Sequence, residues 1–473
     1  MLANTIKAES ISDKQFEYMK LIAEIMEIRK RGEKPLAFVR TYGCQQNVAD
    51  SEKIKGMLSC SGFDFTDTPE DADFILFNTC AVREHAEDRV FGNVGALKNI
   101  KRKHPQILIA LCGCMMEQEH VANRIYNSFP FVSLVFGTHS LQHFPELYYS
   151  ALVDGNRVFE RGNDDKKLYE GFPVSRDGSF KGWLPIMYGC NNFCTYCIVP
   201  YVRGRERSRE KDIILSEARQ MIQSGYKDIT LLGQNVNSYG KTLETPLSFA
   251  QLISEIDSID GDYWLRFMTS HPKDCSKELI DTIASSTHIS KHLHLPFQSG
   301  SDRILKAMNR HYDRKKYLET VAYAKERIEN VSLTSDIIVG FPGETYEDFK
   351  QTLSLIREVE FTSLFTFIFS PRKGTPAEKY DDPVSAEEKG KWFRELLDVQ
   401  EEIAAKRCSS MVGKTEKVLI EGVKEKTGEL NARTSGNIIV ELDGGESLVG
   451  TFQNVTITKA RNWILKGELK TEE

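Results

Sequence analysis

Apolar residues recur along this chain in two rhythms. Ser12 to Arg31 places Phe16, Met19, Ile22, Ile25 and Met26 near helical spacing, and Gly32 supplies a stop. From Leu36 the rhythm changes to short apolar runs that end in polar or glycine-bearing turns and lead into helix-like segments, the pattern of a parallel α/β sheet. Leu36 to Arg40 runs into Thr41-Tyr-Gly-Cys44, Phe74 to Phe77 into Asn78-Thr-Cys80, and Ile107 to Leu111 into Cys112-Gly-Cys114. The polar, charged stretch from Asp154 to Phe180 reads as a connection. Six further strand-helix units start at Trp183 to Met187, Ile229 to Leu232, Trp264 to Met268, His292 to Leu295, Thr334 to Val339 and Leu364 to Phe369. They predict a partial (β/α)6 barrel whose site lies on the loops after its strands. Ser385-Ala-Glu-Glu388 predicts a capped helix running through Trp392, Phe393, Leu396, Leu397 and Ile403 toward Cys408. The short β-rich runs Lys417 to Ile420, Ile438 to Glu441 and Val455 to Thr458 then predict a small closed β-barrel.

The expected fold class is therefore α/β with a β-barrel appended. A helical extension occupies residues 1–34, a parallel α/β domain 35–153, a connection 154–175, the partial barrel 176–406 and the small β-barrel 409–472. A length of 473 residues is enough for two to four domains with real cores. The formal net charge of -6 excludes a generally cationic binder, so any contact with nucleic acid must come from local basic patches. No apolar run is long enough to span a bilayer, and the opening MLANTIKAES lacks a signal-peptide core, so the expectation is a cytoplasmic protein with no membrane partner. In that reducing compartment, ten cysteines are better explained as metal ligands than as disulfides.

Cys190-Asn-Asn-Phe-Cys194-Thr-Tyr-Cys197 carries the densest chemistry. Its spacing lets one loop wrap a corner of an iron-sulfur cube, each thiolate taking one iron and leaving the fourth iron open. A structural zinc site would need a fourth ligand at a paired spacing, and none stands there. Zinc remains the basis of a rival reading, a zinc-containing RNA-binding protein without catalysis. Cys44, Cys80 and Cys114 each follow a strand, and in a parallel sheet those ends share one edge, which predicts a second metal site. Cys112 competes with Cys114 for the third place. Cys114 is preferred because it follows a glycine at the turn, as Cys44 does, while Cys112 still lies in the apolar run and reads as a buried thiol. Cys60, Cys275 and Cys408 read as structural, and His292 and His294 as ordinary strand histidines on one face. The run Arg203-Gly-Arg205-Glu-Arg207-Ser-Arg209 reads either as phosphate contacts at the cavity mouth or as a solvated charged face.

The Cys-x3-Cys-x2-Cys pattern resembles the signature of radical S-adenosylmethionine (SAM) enzymes. The resemblance implies that the open iron binds the amino and carboxylate groups of the cofactor, and that one electron from the cluster cleaves it to methionine and a 5′-deoxyadenosyl radical. Tyr196 matches an aromatic position near the adenine, or else packs in the core. Gln234, Asn235, Ser270 and Gln298 are the candidates to hold the cofactor, although strand-end polar groups serve equally well to satisfy a turn. Gly233-Gln-Asn235 stands where such enzymes often carry Gly-Gly-Glu.

Thr41-Tyr-Gly-Cys-Gln-Gln-Asn47, Asp50-Ser-Glu52, Asn78-Thr-Cys-Ala-Val-Arg-Glu84, Val90-Phe-Gly92 and Gly113-Cys-Met115 resemble the amino-terminal domain of methylthiotransferases. In that family three such cysteines hold an auxiliary 4Fe-4S cluster that delivers sulfur. The last segment resembles the TRAM module of RNA-modifying enzymes, with Arg433, Lys459 and Arg461 as its RNA contacts. Together with Leu231-Leu-Gly-Gln-Asn-Val-Asn237, these motifs make the chain from about residue 36 most similar to the MiaB-type tRNA methylthiotransferases, with Gln46 a departure where Met is common. That resemblance implies methylthiolation at carbon 2 of N6-isopentenyladenosine adjacent to the anticodon, using two 4Fe-4S clusters and S-adenosyl-L-methionine. It also implies Arg203, Arg205 and Arg207 on the tRNA, an electron donor such as flavodoxin or ferredoxin, and a monomer. Relatives acting on threonylcarbamoyladenosine in tRNA or on a ribosomal protein supply the alternative substrates.

Overall fold

The computed structural model describes residues 8–81, 84–162 and 168–470, so Val82 and Arg83 of the second cysteine motif lie outside the described residues. Six parallel strands form the amino-terminal sheet, in the order Asp64–Phe65, Leu36–Thr41, Phe74–Thr79, Leu108–Gly113, Leu134–Phe136 and Val158–Glu160. Phe74 through Phe77 are all buried because helices cover both faces of the sheet, which explains an apolar run without alternation. Ile54, Met57, Phe74, Leu76 and Tyr148 pack on one side; Ile75, Phe77, Val90, Val94 and Ile109 pack on the other.

The extension and the connection depart from the sequence reading. Helix Asp13–Lys30 buries Gln15, Met19, Ile22 and Met26, whereas Phe16, expected on that face, is exposed. Its end falls where predicted, with Arg31 and Gly32 both at positive φ. The stretch read as a connection supplies Val158–Glu160 to the sheet, and a further strand, Leu168–Glu170, which pairs in parallel with Ala8–Ser10. The extension is thus stitched to the connection by backbone hydrogen bonds and is not purely helical.

The central core runs its six strands in sequential order. Lys181–Pro185, Asp228–Leu232 and Trp264–Phe267 form one parallel sheet, and His292–His294, Ser332–Val339 and Ser363–Ile368 form another. A bridge from Leu265 to Ile289 continues the curve between them, and one from Gln298 to Ile337 extends the second sheet past His294. Leu184, Ile229, Leu231, Leu265, Leu293 and Ile337 point outward into one apolar core shared with the surrounding helices. Helix Ala386–Ser409, capped by Ser385, closes the side beyond the last strand and stacks Trp392 on Phe349 at 5.5 Å.

Strands Thr415–Val423, Leu430–Thr434, Ile439–Leu442, Ile464–Leu469 and Phe452–Arg461 close into a barrel. It docks at the amino-terminal ends of the core strands, on the edge away from the cysteine loop. Arg266, buried there, donates to Asp228 at 2.9 Å, Ser290 at 2.8 Å and the carbonyls of Ser435 and Thr434 at 2.9 and 3.1 Å. Lys181 pairs with Glu421 at 2.5 Å, and Trp264 meets Phe452 edge to face.

Candidate active site

The three strand-end cysteines follow three adjacent strands, so the parallel order carries them to one edge. Two glycines make the approach possible. Gly43 has φ 115° and Gly113 φ 96°, and a Cβ on Gly43 would stand 2.4 Å from the Cys80 Cβ, while one on Gly113 would stand 2.3 Å from Asn78 Oδ1. Asn47 links the trio: its Oδ1 lies 3.5 Å from the Cys44 Sγ and 3.8 Å from the Cys114 Sγ. Its Nδ2 donates to the carbonyls of Tyr42 and Thr79, which fixes the amide's direction. Cys80 and Cys114 are buried, whereas Cys44 is exposed at the start of helix Gln45–Cys60 and leaves this edge open to solvent. Cys112 lies in the strand, inside the apolar cluster, as a buried thiol.

The loop carrying Cys190, Cys194 and Cys197 leaves the first core strand and is fixed from two sides. Gly189 donates its backbone N–H to Gln234 Oε1 at 2.5 Å. From the other side the Thr195 N–H and hydroxyl donate to the carbonyls of Met308 and Ala307, and Asn309 Nδ2 donates to the carbonyls of Asn192 and Phe193. The buried Arg310 donates to the Cys194 Sγ at 3.4 Å and to the Pro296 carbonyl at 2.8 Å. Ala81, Cys114, Ile198 and Val202 form one buried apolar cluster. The residue after Cys80 and the residue after Cys197 therefore pack together, and the two trios adjoin across a water-poor wall.

Burial pushes the Cys190 thiol up to about 11, and those of Cys197 and Cys114 up to about 12. Metal loading must displace these protons, as thiolate ligation always requires. Among the described residues, no group of three or more His, Cys, Asp or Glu side chains that could hold a metal ion is found. Zinc draws its sulfurs to about 2.3 Å from one centre, whereas a cubane spreads three thiolates over three irons.

Beside the second trio several buried polar atoms find no partner in the protein: Glu206 Oε1, Asn235 Oδ1, both amide atoms of Asn237, Ser270 Oγ and His271 Nε2. Native proteins rarely leave such groups unsatisfied, so this cluster fits a polar ligand. It is continuous, since the Ser238 Oγ lies 2.7 Å from Glu206 Oε2 and 2.8 Å from the Asn235 carbonyl, and Asn235 donates to Asp274 at 2.8 Å. Burial raises the Glu206 carboxyl and, with the nearby Arg310 and Lys273 charges, holds the His271 imidazole neutral. These amide, hydroxyl, carboxyl and imidazole groups are of the kind that bond amino, carboxylate and hydroxyl groups of a ligand. Asn235 and Ser270 are candidates from the sequence as well; Glu206, Asn237 and His271 emerge only here, although Asn237 closes the Leu231-to-Asn237 motif.

Other sequence expectations fare differently. Gln234 spends its side-chain oxygen on Gly189, so it positions the loop. Tyr196 packs against Ile304, Met308, Phe341 and Ala377. Gln298 sits at φ 64° beyond strand His292–His294, bridged to the neighbouring strand Ser332–Val339 of the same sheet, its N–H donating to the Asp336 carbonyl and its carbonyl accepting from Ile338. Arg203 and Arg207 are corrections. Arg203 is buried against Cys114, Asn47 and Asp50, and Arg207 is buried and donates to the Arg203 carbonyl, so neither guanidinium reaches a solvent phosphate. Arg205 is exposed and lies over the Phe193 ring at 4.2 Å. Arg433, half-buried, spends its guanidinium on Glu421 and Asn437, a correction to its placement among RNA contacts. Lys459 and Arg461 are exposed on the barrel hairpin, beside the partly exposed Trp463.

Three family models match the chain: the Radical SAM superfamily over residues 184–356, the uncharacterized protein family UPF0004 over 37–137 and the TRAM domain over 409–470. Curated relatives named tRNA-2-methylthio-N(6)-dimethylallyladenosine synthase are similar along nearly the whole length. One from Clostridium botulinum is 50% identical over 432 residues, covering 91% of this chain and 96% of that one. One from Alkaliphilus oremlandii is 48% identical over 463 residues, covering 98% of each. Among solved structures, the radical S-adenosylmethionine methyltransferase TsrM from Kitasatospora setae shares the fold, with a TM-score of 0.55 at 13% identity over 73% of this chain and 74% of that one.

Proposed function

This chain belongs to the MiaB-type methylthiotransferases of the radical SAM superfamily, and we propose that it adds a methylthio group to carbon 2 of N6-dimethylallyladenosine beside the anticodon of tRNA. The observation that carries the reading is the adjoining of two thiol trios across Ala81, Cys114, Ile198 and Val202. Cys190, Cys194 and Cys197 would hold one 4Fe-4S cluster, and Cys44, Cys80 and Cys114 the other. When bound, the first cluster with S-adenosylmethionine supplies a radical able to take hydrogen from an aromatic carbon, and the second supplies the sulfur.

Everything else is the work of this chain's own residues. Gln234 and the Ala307 to Arg310 turn hold the cysteine loop from opposite sides. Glu206, Asn235, Asn237, Ser270 and His271 offer unsatisfied polar atoms to the cofactor's charged and hydroxylated ends. Ile198 and Val202 keep water from the space between the trios, which protects a reactive intermediate from quenching. The adenine must leave its stack to enter, and a base in a single-stranded loop costs less to extrude than a paired one. Arg205, Lys459 and Arg461 are the exposed cations proposed to meet the tRNA backbone. A small electron carrier such as flavodoxin or ferredoxin would reduce the cluster, and a monomer working in the cytoplasm suits a tRNA substrate. Among the described residues no helix is long and apolar enough to cross a membrane.

Two variants and one deletion test this. Cys194→Ala should abolish 5′-deoxyadenosine formation, while Cys80→Ala should leave that product and lose the methylthio group. A strain lacking the gene should accumulate N6-dimethylallyladenosine in its tRNA, measured by nucleoside mass spectrometry. Unchanged 5′-deoxyadenosine yield from Cys194→Ala, or accumulation of an unmodified threonylcarbamoyladenosine instead, would defeat the reading.

A further inference from the structure

Arg203 lies shortly after Cys197 in the sequence, yet its guanidinium is inserted among the thiols of the other trio. It is 6% exposed, and Nε points at the Cys114 Sγ from 3.1 Å. Nη2 is shared between Asn47 Oδ1 at 2.9 Å and Asp50 Oδ2 at 2.8 Å. The same Asn47 oxygen touches Cys44, so one guanidinium braces two of the three thiols through a single amide. A guanidinium has donors only, keeps its charge at any working pH, and presents its N–H groups in a rigid fork. What it offers a sulfur is therefore fixed in sign and direction.

We propose that Arg203 is a positioning residue for the auxiliary centre, delivered by the barrel core to orient the Cys114 thiolate and to raise the cluster's affinity for an electron. The inference rests on the assignment of Cys44, Cys80 and Cys114 to a cluster. Hydrogen bonds to ligand sulfurs, local charge and burial are the protein's levers on an iron-sulfur potential, and Arg203 applies all three at one atom. Asp50 opposes it, because a buried carboxylate beside the guanidinium returns part of the negative charge. The pair thus predicts opposite shifts when each member is neutralised, which a purely structural strut would not produce. Because Arg203 and the Cys190, Cys194 and Cys197 loop belong to one segment, docking of the core completes the surroundings of the auxiliary thiols.

The experiment uses the full chain carrying Cys190→Ala, Cys194→Ala and Cys197→Ala, so that only the auxiliary cluster can assemble. After anaerobic reconstitution, iron and sulfide are counted and the midpoint potential is read by electron paramagnetic resonance during a redox titration. Parent protein should hold about four irons. Arg203→Lys and Arg203→Gln should lower the potential, Gln more than Lys, and Asp50→Asn should raise it. Two results overturn the inference: variants with parental iron and parental potential, or Arg203 and Asp50 variants that lose iron together with their folded near-ultraviolet signal. Iron absent from the parent itself would overturn the ligand assignment underneath, a separate and recognisable failure.

Discussion

Gly43→Ala puts the auxiliary site to its most direct test, because it replaces no thiol. Gly43 has φ 115°, a conformation that costs a residue with a side chain roughly 1–3 kcal/mol. The new methyl would lie 2.4 Å from the Cys80 Cβ, 2.9 Å from its Sγ and 3.4 Å from Asn47 Nδ2. Carbon atoms pack best at about 3.5–4.0 Å, so Cys80 or the turn must retreat by about 1 Å. Neither can do so cheaply, since a Cβ moves only with its backbone and Cys80 directly follows a buried strand. Overpacking of this kind adds roughly 1–3 kcal/mol, for a local penalty on the order of 2–6 kcal/mol. The trio would be splayed while the Cys190 loop, held by other elements, stays as it is. Reconstituted Gly43→Ala should fall from about eight irons per chain to about four. It should still produce 5′-deoxyadenosine, but no methylthiolated nucleoside should appear by mass spectrometry. Full iron with normal methylthiolation would refute the packing of Gly43 against Cys80 and, with it, the placement of the auxiliary site.

Arg266→Met would strand the buried Asp228 charge and two carbonyls of the small barrel, a loss of roughly 3–5 kcal/mol, read by denaturant unfolding with proteolysis between core and barrel as a second readout. Asn237→Ala removes a buried amide with no protein partner, so the apo protein should melt no lower than the parent while S-adenosylmethionine binds about tenfold or more weakly by calorimetry; a large drop in apo stability would contradict this role. Burial raises the Glu344 carboxyl to about 7, from an ordinary value of 4.5. The protonated folded form is therefore favoured, and its contribution, on the order of 3 kcal/mol, is full below about pH 4.5 and lost as pH rises through 7. Glu344→Gln should melt above the parent at pH 8 by more than it does at pH 5, and an equal difference at both would refute the assignment.

What local pattern encodes was readable from the chain. Gly43-Cys44 and Gly113-Cys114 each state their own need, a tight turn and a thiol beyond it, and parallel order brings Cys80 to the same edge. The core strands were likewise evident because six apolar runs repeat with helices between them. The basic run from Arg203 misled for a physical reason: its partners are distant. Asp50 comes from the amino-terminal domain and pairs with Arg203, while Glu170 pairs with Arg209. No window of sequence around residue 203 contains that information. The pairing of Ala8–Ser10 with Leu168–Glu170 was hidden similarly, since three-residue strands carry no periodicity and their partners are far apart. Glu206 and His271 became visible only as unsatisfied atoms, a property of burial that spacing does not record.

The small barrel sits under the amino-terminal ends of the core strands, while the thiols crown the opposite ends. A strand of five residues alone separates those ends by about 17 Å. Whatever grips Lys459 and Arg461 while presenting a base to the crown must therefore reach around the flank of the molecule. On the proposed contacts, two footholds so far apart would act as a length gauge: a free nucleoside or a clipped loop would occupy only one of them, and only a polynucleotide of sufficient span would gain from both at once.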